Sequence, residues 1–187
     1  MIPIIAFSGS SQTGKTTLGR RLAQELHCKF VSFGDYVREQ AKKRGMSNPS
    51  REDLQDLGQQ LAEADIVGFC RAVLETAHFS PGDCLIVDGI RHTEALRAIS
   101  TISNGQPIRL IYLHAPMKVR EGRDAEHNLS GTLHQIDAHQ VEGQTNREIK
   151  QLANLVVDAR GEAEKSFSQI LDWLRRDCPA LLSTQSK

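Results

Sequence analysis

No stretch of this 187-residue chain approaches the roughly 18 consecutive apolar residues that span a bilayer, and no basic segment precedes its short opening apolar run. A soluble, unprocessed cytoplasmic protein is the expectation. An excess of either charge is also missing: Lys plus Arg and Asp plus Glu each number 23, for a formal net charge of zero. That balance removes the broad positive field that gathers polynucleotides, and it removes an acidic solvating tail. Aromatic residues make up only 5% of the chain, and no basic stripe interleaves with them, so a platform for stacking single-stranded bases is not expected either. Cysteine is sparse and scattered. Cys28, Cys70, Cys84 and Cys178 form no C-x-x-C pair and sit in apolar or helical stretches, as small buried residues of a reduced compartment would. There is no internal repeat and no low-complexity segment. The length suits one α/β domain over residues 1–187 with room for a small insert.

What is present begins at once. The apolar run Ile2 to Phe7 reads as a strand, and Gly9, Ser10, Ser11, Gln12, Thr13, Gly14, Lys15 and Thr16 follow it in the pattern G-x-x-x-x-G-K-[ST], with Thr17 next in line. Glycines allow the backbone to wrap closely around phosphates, and a helix starting near Lys15 adds its positive end. These residues, Gly9 to Thr17, are expected to bind ATP. Lys15 would bring a cation to the outer phosphates, and the Thr16 hydroxyl would meet Mg²⁺, a hard ion that takes oxygen ligands.

Organisation along the chain is that of alternating strands and helices. Leu18, Leu22 and Leu26 recur at helical spacing, and Lys29 to Phe33 is a short strand, giving a βαβ beginning. From Asp35 to His78 no strand is apparent; Tyr36 and Val37, then Leu54, Leu57 and Leu61, then Ile66, Phe69, Cys70, Val73 and Leu74 suggest consecutive amphipathic helices. A helical insert over 34–80 is implied. Cys84 to Asp88, Ile108 to Leu113 and Leu155 to Val157 supply further strands, with a helix from about Thr93 between the first two of these. Ala163, Phe167, Ile170, Leu171 and Leu174 share a final helical face, and the tail after Pro179 is expected to fray. Such alternation predicts a parallel sheet covered on both faces.

Charged residues at strand ends carry the rest. Asp35 and Arg38 lie three apart just past the second strand, where open α/β sheets bind ligands. Asp35 could cap the following helix and Arg38 could grip a phosphate, or both could be an ordinary cap and a surface arginine. Asp88 ends an apolar strand beside the phosphate loop, and Gly89, Ile90 and Arg91 follow. A second acid in that position can hold a Mg²⁺-bound water, with Arg91 turned to an acceptor; the alternative is that Asp88 caps the Thr93 helix.

These segments resemble the nucleoside monophosphate kinases, the adenylate-kinase-like family of P-loop kinases. Ser32 to Arg38 is similar to that family's S-T-G-D-x-x-R, with Phe33 in place of the threonine, and Asp88-Gly89-Ile90-Arg91 is similar to D-G-F-P-R with one residue missing. A closer resemblance, to the phage-type deoxynucleoside monophosphate kinases, lies in Arg51 to Gly58, Val87 to Ala95 and Asp137 to Glu142. The resemblance implies a P-loop NTPase fold: a five-stranded parallel sheet in the order 2-3-1-4-5 with helices on both faces, an acceptor-binding insert, and a lid within 116–140. It further implies transfer of the γ-phosphoryl of MgATP to a nucleoside or deoxynucleoside monophosphate, with Asp35, Arg38, Arg51 and Arg91 on the acceptor and Thr16 and Asp88 toward the metal. In the lid segment Arg120 and Arg123 lie three apart, so a helix would put both guanidinium groups on one side, suited to stabilising charge during transfer; pairing with Glu121, Asp124 and Glu126 is the alternative. His127, His134, His139, Asp137 and Glu142 lack zinc spacing. Asp158 to Gly161 would meet the adenine edge through backbone atoms. Small-molecule nucleotides are the expected partners. Neither a membrane nor nucleic acid is expected among them, and the sequence leaves oligomeric state open. A kinase with a different acceptor, of the dephospho-coenzyme kind, and a nucleotide-gated regulatory ATPase are the competing readings.

Overall fold

The computed structural model describes residues 1–126 and 148–182. Strand β1 (Ile4–Gly9) is buried along its whole length, as a central parallel strand covered on both faces must be. It leads through the phosphate loop into α1 (Lys15–Glu25), then β2 (Lys29–Ser32), α2 (Phe33–Lys43), α3 (Arg51–Glu75), β3 (Leu85–Asp88), α4 (Thr93–Ile102), β4 (Ile108–His114) and α5 (Met117–Glu126). After the undescribed stretch come a short helical turn α6 (Lys150–Leu152), β5 (Leu155–Asp158), α7 (Ala163–Asp177) and the turn α8 (Pro179–Leu182). All strand pairs are parallel, and the five strands lie in the order β2-β3-β1-β4-β5, as the alternating pattern and the resemblance imply.

Successive residues of β1 feed two cores. Ile4 and Ala6 pack toward α2, α3 and α4, with Val31, Phe69, Val73 and Ile99. Ile5 and Phe7 face α1 and α7, with Leu22, Phe167, Ile170 and Leu174. Because every strand runs the same way, the ends of β1, β2 and β3 deliver the phosphate loop, Ser32 and Asp88 to one edge of the sheet; Phe7 and Ser32 both lie in register with Asp88. From β1 the chain runs past β3 to β2, and from β3 it crosses back past β1 to β4, so these two adjacent strands are left in opposite directions, which opens the crevice where such sheets bind ligands.

Three expectations are corrected. The cysteines are not all free: Cys28 and Cys84 form a disulfide, while Cys70 and Cys178 are free and buried. Sheet order explains this, because these residues immediately precede the neighbouring strands β2 and β3, and the Lys29 amide donates to the Cys84 carbonyl at 3.0 Å. The tail does not fray directly after Pro179, since α8 buries Leu181 against the α7 core. Nor does Asp35 cap its helix; the Ser32 hydroxyl does, accepting from the Asp35 amide at 3.3 Å. Of the lid segment, α5 is described, whereas His127, His134, Asp137, His139 and Glu142 lie outside the described residues. Among the described residues no group of His, Cys, Asp and Glu could hold a metal by itself, and no helix is long and apolar enough to cross a membrane.

Candidate active site

Two glycines of the phosphate loop have different jobs. Gly9 has φ of 132°, and a Cβ there would stand 2.1 Å from the Leu113 carbonyl oxygen, so no side chain fits where the loop leaves the sheet. Gly14 has φ of 87° and caps α1 in the left-handed region. Gln12 is left-handed as well, at φ of 59°, and such reversals turn backbone amides into an anion-binding concavity. The Thr13 hydroxyl donates to the Ser10 carbonyl at 2.9 Å and ties the loop to itself.

Lys15 folds back into this concavity. Its Nζ donates to the Ser10 carbonyl at 2.6 Å and to Thr13 Oγ1 at 3.4 Å. Burial is the main reason that its ammonium is pushed down to about 7; Arg91 adds to the effect, Asp88 opposes it, and Arg120 and Arg51 contribute further repulsion. Three arginines and a lysine thus converge on one small volume. Opposite them, Thr16 Oγ1 donates to Asp88 Oδ2 at 2.6 Å, and Ser32 Oγ stands 3.4 Å from the same oxygen. Asp88 is 3% exposed, and its Oδ1 is buried with no partner among the described residues. It does not cap α4, whose N-cap position is His92 and carries no side-chain cap. A hydroxyl beside an unsatisfied carboxylate oxygen is a donor set that suits a hard divalent cation or its water.

The turn after β3 is tied to β1. The amides of Gly89 and Ile90 both donate to the Phe7 carbonyl at 3.1 Å, and Ser8 Oγ donates to the Ile90 carbonyl at 2.6 Å. These bonds hold Arg91 over a cavity of about 360 Å³ that runs from Gly14, Lys15 and Thr16 to the faces of α2 and α3. Arg38, Arg51 and Arg91 line it, as do Gln55, Gln59 and His92; Phe33, Val37, Leu54, Ile66 and Phe69 give it an apolar wall. Phe69 meets Phe33 edge-on at 5.1 Å between ring centres and Tyr36 at 5.7 Å.

Not every expected residue lies in that wall. Asp35 does not line the cavity; it accepts from Arg38 Nη2 at 2.5 Å and from Arg20 Nη2 at 2.6 Å, so it aims Arg38. Arg120 and Arg123 stand at the loop's far rim. Arg120, 4% exposed, donates to the carbonyls of Ala115 at 3.2 Å and Ser11 at 3.4 Å. Arg123 donates to the carbonyls of Gln12 at 3.4 Å, Ala159 at 2.7 Å and Gly161 at 3.3 Å, which joins α5 to the segment after β5. Arg51 Nη1 reaches Ser11 Oγ at 3.4 Å, carrying the start of α3 onto the loop. Sequence reasoning missed Arg20, Gln59, Phe69 and His92 as neighbours of the site. Gln55 and Gln59 lie one turn apart on α3, and a polar pair on a helix otherwise read by its apolar stripe was the available signal.

A five-stranded 2-3-1-4-5 sheet with this loop at its β1 end defines a P-loop protein with the strand order of the small kinases. Residues 8–135 match the family described as AAA domain, and the chain belongs to that family. Among individual proteins, it is 29% identical over 128 residues to a UPF0200 protein of Aeropyrum pernix, covering 68% of this chain and 66% of that one. It is 36% identical over 126 residues to a cytidylate kinase of Desulfurococcus amylolyticus, covering 64% of this chain and 60% of that one. The chain thus spans two thirds or less of the length of these relatives. A solved sugar kinase from Janibacter shares the fold at a TM-score of 0.58 and 20% identity, over 97% of this chain and 98% of that one.

Proposed function

We propose that this protein transfers the γ-phosphoryl of ATP to a nucleoside or deoxynucleoside monophosphate. The observation that carries the reading is one continuous cavity: it begins at the phosphate loop, passes Arg38, Arg51 and Arg91, and reaches an apolar wall of Phe33, Val37, Leu54, Ile66 and Phe69. An acceptor with an anionic end and a flat, largely apolar end matches both halves. The likeness to a cytidylate kinase points the same way.

In this reading Gly9 to Thr17 cradle the triphosphate, and Lys15 neutralises its outer oxygens. Thr16 and Asp88 would hold Mg²⁺, which when bound supplies further neutralisation of the triphosphate charge. Arg38 and Arg91 grip the acceptor phosphate with Arg51 beside them, and Asp35 keeps Arg38 in place. Arg120 and Arg123, now bonded to loop carbonyls, are the candidates to meet charge that spreads onto the moving phosphoryl group. The insert 34–80 is the acceptor-binding part and 116–140 the lid.

The test is ADP release from MgATP against a panel of ribo- and deoxyribonucleoside monophosphates and dephospho-coenzyme A, each compared with an acceptor-free control. Strong stimulation by a monophosphate is expected. Stimulation only by the coenzyme precursor would transfer the activity to another acceptor class, and a flat panel with tight ATP binding would favour the regulatory ATPase.

A further inference from the structure

The cavity holds a polar group that phosphate chemistry does not use. Gln59 lines it on the α3 side, near the apolar wall. Its Nε2 donates to Glu63 Oε1 at 2.5 Å, one helical turn along. A carboxylate only accepts, so this bond fixes which way round the amide sits: nitrogen toward Glu63, oxygen away from it. That oxygen, Oε1, is buried and has no partner among the described residues. A buried acceptor left without a donor costs about 1–3 kcal/mol, and a native structure keeps such a group where a ligand or water completes it.

We infer that Gln59 selects the acceptor's base by accepting a hydrogen bond from an exocyclic amine, which makes amino-bearing bases, cytosine and adenine, the preferred class. The inference rests on the monophosphate kinase reading. Uracil and thymine carry a carbonyl where cytosine carries its amine, and hypoxanthine does so where adenine does. Against Gln59 Oε1 that carbonyl would set two acceptors against each other and leave both unsatisfied. Phe69 and Leu54, which line the same cavity, offer no polar group to bridge them. Glu63 becomes a positioning residue: it is exposed and is here assigned no contact with the acceptor, but it decides which end of the amide the base meets.

The pairs CMP and UMP, and AMP and IMP, differ within each pair by this one exchange of amine for carbonyl. Steady-state kcat/KM for each, at saturating MgATP, should favour the amine member of at least the better-used pair by about 10- to 100-fold. Gln59→Leu should bring the ratio to near unity with ATP affinity unchanged. Glu63→Lys, a surface exchange, would donate to Oε1 and turn Nε2 toward the base, so the ratio should shrink or invert while the amide remains. Equal use of both members by the unaltered protein, a preference for the carbonyl member, or a preference that survives Gln59→Leu overturns the inference and leaves the kinase reading standing. Absence of transfer to every monophosphate overturns the kinase reading, and the inference with it.

Discussion

Lys15 carries a charge that the unliganded protein tolerates poorly. Burial and the nearby Arg91 bring its ammonium down to about 7 from 10.5. Between those values the unfolded chain holds more protons than the folded one, so this group's contribution to stability rises with pH through that window, while below about 7 the full penalty is present. Lys15→Met should therefore stabilise the unliganded protein near pH 6 by about 1–3 kcal/mol, a figure discounted because the side chain is only half-buried, and the gain should shrink as pH rises toward 10. Denaturant melts of both proteins across that range measure it. A bound triphosphate reverses the preference, since it favours the charged lysine. ATP binding at about pH 8 should then take up close to one proton and at about pH 6 almost none, which calorimetry in buffers of different ionisation enthalpy reads directly. Equal uptake at both pH values would assign the proton to another group. Asp88 makes a separate demand. Asp88→Asn keeps an oxygen for the Thr16 hydroxyl to donate to but removes the charge, so turnover should fall about 10²- to 10³-fold with the melting temperature nearly unchanged. Activity close to that of the unaltered protein would exclude Asp88 from the metal site.

At the scale of the element, α3 shows how far the sequence could be read. Leu54, Leu57 and Leu61 keep helical spacing, the next large apolar residue is Ile66, and Phe69, Cys70, Val73 and Leu74 resume it, so two consecutive helices were legible with a shift of face between them. Both helices form, and the first continues into the second with no intervening loop, a junction that the spacing alone did not place. The shift falls at Asp65, whose φ of −163° and ψ of 92° leave the helix, and whose Oδ1 accepts from the Gly68 amide at 2.8 Å. Asp65 is thus an N-cap for the second half. A Cβ on Gly68 would stand 2.3 Å from Asp65 Oδ2, so a side chain there makes the capping carboxylate turn aside. Asp65→Ala should cost about 1 kcal/mol. Gly68→Ala should gain less while Asp65 is present than in the Asp65→Ala background, where only helix propensity is left to act and the gain should reach up to about 1 kcal/mol. A double-mutant cycle from denaturant unfolding gives the sign, and additive effects would show that the two residues act apart.

Across the whole molecule, what sequence reveals depends on whether the information is local. The phosphate loop, Asp88 and Arg91 could be found because each follows directly on an apolar strand, and strand alternation predicted the sheet. Arg20 on Asp35 and Arg123 on Ala159 join segments far apart in the chain, and only the packed helices bring them together. The disulfide belongs to this second kind: Cys28 and Cys84 are 56 residues apart, and they meet because β2 and β3 are neighbours and start level with each other. The bridge sits at the ends of these strands opposite Ser32 and Asp88, and the loop that it closes contains both α2 and α3. Chain-entropy arguments give a closed loop of this size a stabilisation of about 4 kcal/mol. Reduction, or Cys28→Ser with Cys84→Ser, should therefore lower the melting temperature by several degrees yet leave ATP affinity unchanged, because the phosphate loop lies at the other edge of the sheet. Thiol counting in denaturant, with and without prior reduction, reports whether the bond is present, and melting under both conditions reports its worth. If the bond is present and the two melting temperatures coincide, the neighbouring strands already hold the base of the insert without it. If ATP affinity falls along with stability, then the sheet carries strain from the bridge to the loop, and the two edges are coupled rather than independent.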